Sequence, residues 1–190
     1  MQMFVDRVTS PIGELRLIWD ESITLRALEF ADHEQRLQRL LGLHYQSYQL
    51  QPAPVPNQLR HPIEAYFEGD LLAIDSVPVQ TNGTPFQSEV WAALRQIPAG
   101  TTTSYGQLAK QIGRSGASRA VGLANGSNPV GIVVPCHRVI AASGALTGYG
   151  GGIDRKRWLL AHERAANMPA LLHLGFPNAQ HGPGGINENA

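Results

Sequence analysis

The first thirty residues alternate between apolar and polar side chains with the period of a β-strand. The stretch MFVDRVTSPIGELRLIWDE contains two such runs, separated by the four residues from Ser10 to Gly13. Proline and glycine between two alternating runs are typical of a hairpin turn. LRALEFAD is a further run of the same kind. The pattern therefore predicts a β-hairpin followed by a third strand.

From about residue 33 the spacing of the apolar residues changes to that of α-helices. The first set of helical positions comprises Leu37, Leu40, Leu41 and His44. After a predicted loop, QPAPVPN, the second set comprises Leu59, Ile63, Tyr66 and Phe67. Each set predicts a helix with one buried side. Pro62 is expected in the first turn of the second helix, where a backbone N–H is not needed.

Start and stop signals predict three more helices in the second half of the chain. Thr84-Pro85-Phe86-Gln87 and Ser104-Tyr105-Gly106-Gln107 are capping boxes. Gly113 ends the second of these helices, and a third runs from about Ala117 to Gly126, before Asn128-Pro129. Two short helices joined by a glycine turn are typical of a helix-turn-helix.

These elements predict two domains. Residues 1–82 are expected to form an α/β domain, and residues 83–166 a mainly α-helical domain that contains the helix-turn-helix. Residues 167–190 form an extension rich in Gly, Pro and Asn, which we expect to be partly disordered.

Composition excludes several classes of protein. Hydrophobic residues make up 43% of the chain, enough for a folded core. No run approaches the roughly 18 apolar residues of a membrane span, and residues 1–13 lack the apolar core of a signal peptide. The single cysteine, Cys136, allows neither an internal disulfide nor a zinc site of several cysteines. We therefore expect a cytoplasmic protein that is not bound to a membrane.

Charge is distributed unevenly, although the net charge is zero. Residues 1–80 contain six Lys and Arg against eleven Asp and Glu, a net charge of −5. Residues 81–165 contain nine against three, a net charge of +6. A basic second unit suits an anionic partner such as nucleic acid. Composition alone leaves chance clustering open as another explanation.

Cys136 lies in the segment VVPCHRVI, directly before His137 and Arg138. A free thiol is mostly protonated at neutral pH, so a nucleophilic cysteine needs a base or a cationic neighbour. Adjacent residues of an extended chain point to opposite faces, so we expect a water molecule to link His137 to the thiol. Such a base needs a third group to orient it, and Glu163 is a candidate. From the residues alone, Cys136 could equally be a small buried residue.

Two known cofactor and metal motifs do not fit this sequence. The zinc deaminase pattern needs a second cysteine two residues further on, and PCHRV has none. GYGGG, at residues 148–152, is followed by Ile153 and so fails the dinucleotide pattern G-x-G-x-x-G. The sequence therefore implies no cofactor and no metal.

Three blocks of sequence closely resemble the O6-alkylguanine-DNA alkyltransferases. They are TPFQSEVWAALRQIPAGTTTSYGQLA, SRAVGLANGSNPVGIVVPCHRVI and SGALTGYGGGIDRKRWLLAHE. A weaker likeness covers the N-terminal domain, for which the resemblance implies a ribonuclease H-like fold. It also implies suicide repair of double-stranded DNA. A guanine alkylated at O6 is flipped out, and its alkyl group is taken irreversibly onto the cysteine. O4-alkylthymine is a further candidate substrate, and we expect a monomer.

The resemblance assigns the reaction to five residues. They are Cys136 as the acceptor, His137 as the base acting through water, Glu163 orienting the imidazole, Tyr105 bonding N3 of guanine, and Asn128 bracing the turn. Outside that resemblance, Tyr105 could be a packed tyrosine and Asn128 an ordinary helix stop.

The resemblance also implies residues for the base pocket and for DNA. The pocket set is Val139, Tyr149, Gly150 and Gly151, with the carbonyls of Cys136 and Val139 accepting from the guanine amino group. The DNA set is Tyr105, Arg119, Ala117, Ser118, Arg138, Arg114 and Arg95. Only Tyr105 and Arg119 take their roles from the resemblance; Ala117 and Ser118 are included for their small size, and the other three arginines for their charge. Arg119 would fill the gap left by the flipped base, and the small Ala117 and Ser118 would let the helix approach the minor groove. Without the resemblance, Arg119 could be a solvated helix residue and GYGGG a flexible turn.

Two other functions stay open. The first is a non-catalytic protein that binds alkylation damage; relatives of that type lack the cysteine, so Cys136 disfavours it. The second is a cysteine hydrolase, which is disfavoured because no oxyanion-hole motif stands out.

Overall fold

The computed structural model of the protein describes residues 1–167. The extension that we expect to be partly disordered, residues 167–190, lies outside the described residues except for Asn167, which ends a helix.

A four-stranded sheet forms the centre of the N-terminal part. Its strands are β1 (Gln2–Ser10), β2 (Gly13–Asp20), β3 (Leu25–Phe30) and β4 (Gln49–Pro52), in the order β3-β2-β1-β4. The first three are antiparallel, and β4 runs parallel to β1. The predicted hairpin is confirmed, because Ser10 pairs with Gly13 across a two-residue turn. The φ of Gly13 is 119°, in the region that glycine adopts readily.

The loop predicted for QPAPVPN is wrong at its first two residues. Gln51 and Pro52 belong to β4 and pair with Phe4 and Val5 of β1. All four residues of β4 are exposed, so alternation of side chains gives no sign of a strand. The strand forms because it supplies partners for backbone groups at the edge of β1, where proline is tolerated.

Two helices, α1 (Glu34–His44) and α2 (Asn57–Glu68), pack on opposite faces of the sheet. Neighbouring side chains of β2 point to opposite faces of the sheet. Leu17 belongs to the hydrophobic cluster that contains the buried residues of α2, whereas Ile18 packs with those of α1. Both helix predictions are confirmed.

Pro62 lies in the second turn of α2, so its predicted place in the first turn is wrong. The helix starts earlier because the N–H groups of Leu59 and Arg60 both donate to the carbonyl of Pro56, at 2.9 Å each. These bonds form a complete turn before Pro62 is reached.

Four helices make up most of the C-terminal part: α3 (Pro85–Arg95), α4 (Tyr105–Gln111), α5 (Ser118–Gly126) and α6 (Ile153–Asn167). Two short strands, β5 (Thr103–Ser104) and β6 (Val139–Ile140), pair in parallel. Both predicted capping boxes are confirmed, since the side chains of Thr84 and Ser104 accept from the N–H groups three residues on. No helix within residues 1–167 has the length and hydrophobicity that crossing a bilayer requires.

The two parts of the chain share a hydrogen-bonded edge. Leu28 of β3 donates its N–H to the carbonyl of Pro129 at 2.9 Å, and its own carbonyl accepts from Gly131 at 3.0 Å. Every residue of β3 is buried. The loop that leads to Cys136 therefore closes the edge of β3, and the N-terminal sheet supports that loop directly.

Arg155 of α6 crosses the same interface. Its guanidinium donates to both carboxylate oxygens of Asp32, at 3.0 and 2.8 Å, and to the carbonyl of Ile12 at 2.9 Å. The same group lies 4.0 Å from the ring centre of Phe30. A bidentate ion pair that also covers an aromatic ring has a defined geometry. It fixes α6, which carries Glu163, relative to the sheet.

Candidate active site

The loop before the cysteine contains a strained residue. Ile132 has a φ of 69°, in the left-handed region that β-branched residues avoid. Asn128 holds the loop from inside, because its Oδ1 accepts from the N–H of Val130 at 3.0 Å and its Nδ2 donates to the carbonyl of Val134 at 2.8 Å. These bonds offset the strain and fix the position of Cys136.

Cys136 opens a single three-residue 3-10 turn. The extended chain that we expected for Cys136 and His137 is therefore wrong, because the backbone closes a hydrogen-bonded turn there. The cysteine is 5% exposed. Burial raises the pKa of its thiol, and the hydrogen bond from Asn128 and the charges of Arg36 and Lys156 oppose this only in part. At neutral pH the thiol is protonated, so a base must remove its proton before it can attack.

His137 and Glu163 form a fully buried pair, both 0% exposed, with Nε2 of the imidazole 2.8 Å from Oε1 of the carboxylate. Burial by itself raises the pKa of Glu163, but the hydrogen bonds and charges of His137 and Arg138 outweigh it and hold that pKa well below its usual range. Because the carboxylate is ionised and can only accept, Nε2 carries the proton and Nδ1 is the basic nitrogen.

The basic nitrogen of His137 is available. Nδ1 is buried and has no hydrogen-bond partner within the described part of the chain. Burial lowers the pKa of His137, and the charges of Arg138 and Lys156 lower it further, whereas Glu163 raises it. The net direction is downward, so the imidazole is neutral at neutral pH, as a general base must be.

Arg138 does not lie on a DNA-binding surface, which contradicts its predicted role. Its side chain is buried, and Nε and Nη2 donate to Glu163 at 3.0 and 2.8 Å. Nη1 donates to the carbonyl of Ile97 at 2.6 Å. A carboxylate in the interior requires a counter-charge, and the planar guanidinium supplies one with two-point geometry. Arg138 therefore belongs to the interior of the site.

The two carbonyls predicted to bind the guanine amino group already have donors nearby. The carbonyl of Val139 accepts from Nζ of Lys156 at 2.7 Å, and that of Cys136 lies 3.4 Å from Nδ2 of Asn125. Lys156 also donates to the carbonyl of Thr147 at 2.8 Å. The carbonyl of Cys136 also accepts from the N–H of Val139, so both of its lone pairs already face donors, and the predicted contact of these carbonyls with a base stays a prediction.

The glycines of the predicted base pocket touch the N-terminal part. A Cβ on Gly150 would overlap the guanidinium of Arg36, and a Cβ on Gly151 would overlap the ring of Phe30. Arg36 is itself held by an ion pair with the buried Glu29. At Gly151 the ring of Phe30 fills the space where a side chain would lie, whereas at Gly150 a side chain would have to displace the end of the Arg36 side chain.

Two residues with predicted roles at the DNA lie at the starts of α4 and α5. The hydroxyl of Tyr105 lies 3.1 Å from Oγ1 of Thr147. Arg119 is exposed, and within residues 1–167 it makes neither an ion pair nor a hydrogen bond. Ala117 and Ser118 lie beside it at the N-terminus of α5. A free cation next to small residues is a surface that a nucleic acid backbone can approach closely.

Two other arginines of the predicted DNA set are engaged elsewhere. Arg95 donates from Nη2 to the carbonyls of Asp75 and Val77 at 2.9 and 3.2 Å, and its contact with DNA through the rest of the guanidinium stays a prediction. The N-terminal segment uses it to satisfy backbone groups. Arg114 is exposed and lies 3.4 Å from Glu89, and its contact with DNA stays a prediction.

Comparison with known proteins assigns the chain to a family. The model of the DNA-binding domain of 6-O-methylguanine DNA methyltransferases matches residues 85–165, and the model of their ribonuclease-like domain matches residues 4–81. The chain belongs to the 6-O-methylguanine DNA methyltransferase family. The family resemblance found in the sequence is thereby confirmed.

Curated relatives match along almost their whole length. The methylated-DNA–protein-cysteine methyltransferase of Shigella flexneri is 50% identical over 165 residues, which cover 86% of this chain and 96% of the relative. The protein of that name from Mycobacterium tuberculosis strain H37Rv is 47% identical over 170 residues, with 88% and 95% covered.

Solved structures of the same family match the fold of this chain. The crystal structure of Mycobacterium tuberculosis OGT in complex with DNA matches with a TM-score of 0.69 at 42% identity, covering 87% of this chain and 94% of that one. The O6-methylguanine-DNA methyltransferase of Pyrococcus kodakaraensis matches with a TM-score of 0.67 at 28% identity, covering 85% and 98%. A mixed α/β N-terminal part joined to a helical C-terminal part is therefore the architecture of this family.

Sequence reasoning missed three residues of this methyltransferase-family site. Lys156 could have been found, because it shares one face of α6 with Leu160 and Glu163 at intervals of four and three residues. Tyr66 has the pattern of an ordinary core residue, and Arg36 that of an exposed helix residue. Nothing in their local sequence indicates contact with a loop about a hundred residues away. Within residues 1–167 no three His, Cys, Asp or Glu side chains are grouped to hold a metal ion.

We predict that Gly151→Ala slows alkyl transfer at least tenfold and lowers the free energy of unfolding by about 1–3 kcal/mol, the usual effect of overpacking. The added methyl group displaces either the ring of Phe30 or the loop. Single-turnover rates and urea denaturation measure the two effects. Gly148→Ala is the matched control, since a Cβ there meets nothing within 4 Å. Equal behaviour of the two variants would contradict the prediction.

Proposed function

We propose that this protein repairs DNA directly, by transferring an alkyl group from O6-alkylguanine in duplex DNA to Cys136. The observation that carries the proposal is a single buried thiol on the same turn as a buried histidine–carboxylate pair with one free imidazole nitrogen. Alkyl transfer to a cysteine is also the activity in the name of relatives that match 86% and 88% of the chain. Each molecule reacts once, because the product is a stable thioether.

The reaction balances without a cofactor. A water molecule passes the thiol proton to Nδ1 of His137, and Glu163 stabilises the imidazolium that results. The sulfur attacks the alkyl carbon, an S–C bond forms, and the bond from that carbon to O6 breaks. Guanine leaves as the proton of the Tyr105 hydroxyl is shared with its N3. Proton return from the imidazolium through solvent restores the tyrosine.

DNA is proposed to dock on α4 and α5 acting as a helix-turn-helix, with α5 in the minor groove. The solvent side of α5 carries Arg119, Gly122, Leu123 and Gly126, at intervals that place them on one face. Small residues permit close approach, and a long side chain can enter the stack as the base leaves it. In this scheme residues 1–82 support the site, and residues 83–166 bind DNA and react.

The alkyltransferase reading is preferred to a protein that only binds damage, because the acceptor thiol and its base are both present. Incubation with duplex DNA containing O6-methylguanine, followed by intact-mass measurement, tests it. We expect the mass of one methyl group on Cys136. An unchanged protein mass with bound DNA would indicate a damage-binding protein, and turnover without a mass change would indicate a hydrolase. A monomeric state, a cytoplasmic location and activity on O4-alkylthymine stay predictions.

Cys136→Ser is expected to abolish alkyl uptake and to leave DNA affinity nearly unchanged. The thiol does the chemistry, whereas the docking surface lies on α4 and α5. A radiolabel-transfer assay and a binding titration measure the two properties. Uptake of label by the serine variant would rule out this acceptor.

Arg119→Ala is expected to slow repair in duplex DNA by about tenfold or more, because extruding a base from the stack requires a few kcal/mol. Reaction with free O6-alkylguanine base should change little, since no stack has to be opened. The two single-turnover rates are compared. Equal slowing on both substrates would show that Arg119 does not act as a wedge.

Leu123 is 73% exposed in the middle of the proposed DNA face of α5. We expect Leu123→Ala to weaken duplex binding by about fivefold through lost apolar contact in the groove. The slope of log affinity against log salt should not change, because no phosphate contact is removed. Arg119→Ala should instead reduce that slope by about 0.9 if it neutralises one phosphate.

Leu72 provides the control, because it is also 73% exposed but lies in the N-terminal part. Leu72→Ala should leave both affinity and slope unchanged. If both leucine variants bind like the unmodified protein, α5 does not present this face to DNA.

A further inference from the structure

One hydroxyl group of the N-terminal part makes a hydrogen bond to the carboxylate that is paired with His137. Tyr66 of α2 is 0% exposed, and its hydroxyl donates to Oε1 of Glu163 at 2.9 Å. The same oxygen accepts from Nε2 of His137 at 2.8 Å and from Nη2 of Arg138 at 2.8 Å. The N–H of Gly100 donates to the other oxygen at 3.0 Å.

We propose that Tyr66 is a positioning residue for alkyl transfer, through which the ribonuclease-like part orients Glu163 and limits its hold on His137. This inference rests on the proposed function and extends it. It gives the N-terminal part a defined task in the reaction, beyond packing against the cysteine loop.

The hydroxyl is separable from the packing of its ring. The Tyr66 ring meets those of Phe67 and His162 edge to face, with centres 5.2 and 5.3 Å apart. Nε2 of His162 also donates to the carbonyl of Tyr66, at 2.8 Å. These contacts do not involve the phenol oxygen, so phenylalanine at this position keeps the ring and removes only the hydrogen bond to Glu163.

Because Oε1 of Glu163 is shared, loss of the hydrogen bond from Tyr66 should change the pKa of His137 in one direction. Oε1 divides its negative charge among donors from three residues, and a hydrogen bond from Tyr66 reduces the share that faces Nε2 of His137. Without it, Glu163 stabilises the imidazolium more strongly, which raises the pKa of His137 towards that of an exposed histidine. The base is active when neutral, so its activity is lost as pH falls through that pKa.

Other charged and titratable groups around the pair are unchanged by the substitution. Arg138 and Lys156 lower the pKa of His137, and the ring of Tyr149 lies edge to face with the imidazole, with ring centres 6.4 Å apart. The pKa of the Tyr66 phenol is itself raised well above its usual range by burial and by Glu163. Tyr66 is therefore a hydrogen-bond donor throughout the working pH range.

The test compares Tyr66→Phe with the unmodified protein in single-turnover transfer between about pH 5.5 and pH 9. We expect transfer to be about threefold slower near pH 6, because a rise of about half a unit in the pKa of His137 lowers its neutral fraction by up to about threefold. The acid limb should move to higher pH by about half a unit or more, so the difference shrinks near pH 8. Tyr45→Phe is the matched control, since Tyr45 is buried in the separate cluster under α1. It should leave rate and profile unchanged.

Two further measurements distinguish positioning from stability. In a His137→Gln background, Tyr66→Phe should cause no additional slowing, because its effect passes through the imidazole. NMR titration of His137, which does not depend on transfer, should show a higher pKa in Tyr66→Phe. An unchanged His137 titration, an unshifted acid limb, or equal slowing in the His137→Gln background would each overturn the proposal. Failure of the unmodified protein to take up an alkyl group would instead overturn the proposed function.

Discussion

The fully buried carboxylate of Glu163 is the constraint on which the site depends. Glu163 is 0% exposed, and an ion without partners at such a place is costly. Arg138 is therefore drawn inside as a counter-charge, and Tyr66 and the N–H of Gly100 complete the hydrogen bonding. These donors come from three separate segments, so one carboxylate ties α2, the loop after α3 and the cysteine turn together. The same bonds fix the tautomer of His137.

The two parts of the chain build the site together. The edge of β3 holds the loop before Cys136, and Phe30 and Arg36 form the wall against which the glycine loop lies. Part of the basic surplus of residues 81–165 is used here. Arg155 pairs with Asp32 across the interface, and Arg138 and Lys156 are buried. The surface left for DNA is less basic than the count of residues suggests, which favours a shallow dependence of binding on salt.

The resting thiol is protected rather than activated. Burial keeps Cys136 protonated, and the strained Ile132 with the brace of Asn128 fixes it beside a base that is neutral and ready to accept. An acceptor used once has no need for rapid turnover, but must avoid reacting before the right substrate arrives. A protonated, enclosed thiol meets that need, because the thiolate is the reactive form.

The sequence by itself determined the elements whose signals lie within a few residues: the hairpin at Gly13, both capping boxes and the helices. The set of cysteine, histidine and carboxylate was assigned through blocks of sequence that resemble a known family. Only the tertiary structure decided β4 and the depth of Pro62 in α2, because backbone pairing with distant segments produces them. It also turned Arg138 inward and brought Tyr66 to Glu163. The partners of a buried charge are the groups that lie close to it in the folded chain. The local sequence around residues 66, 138 and 163 does not indicate that they meet.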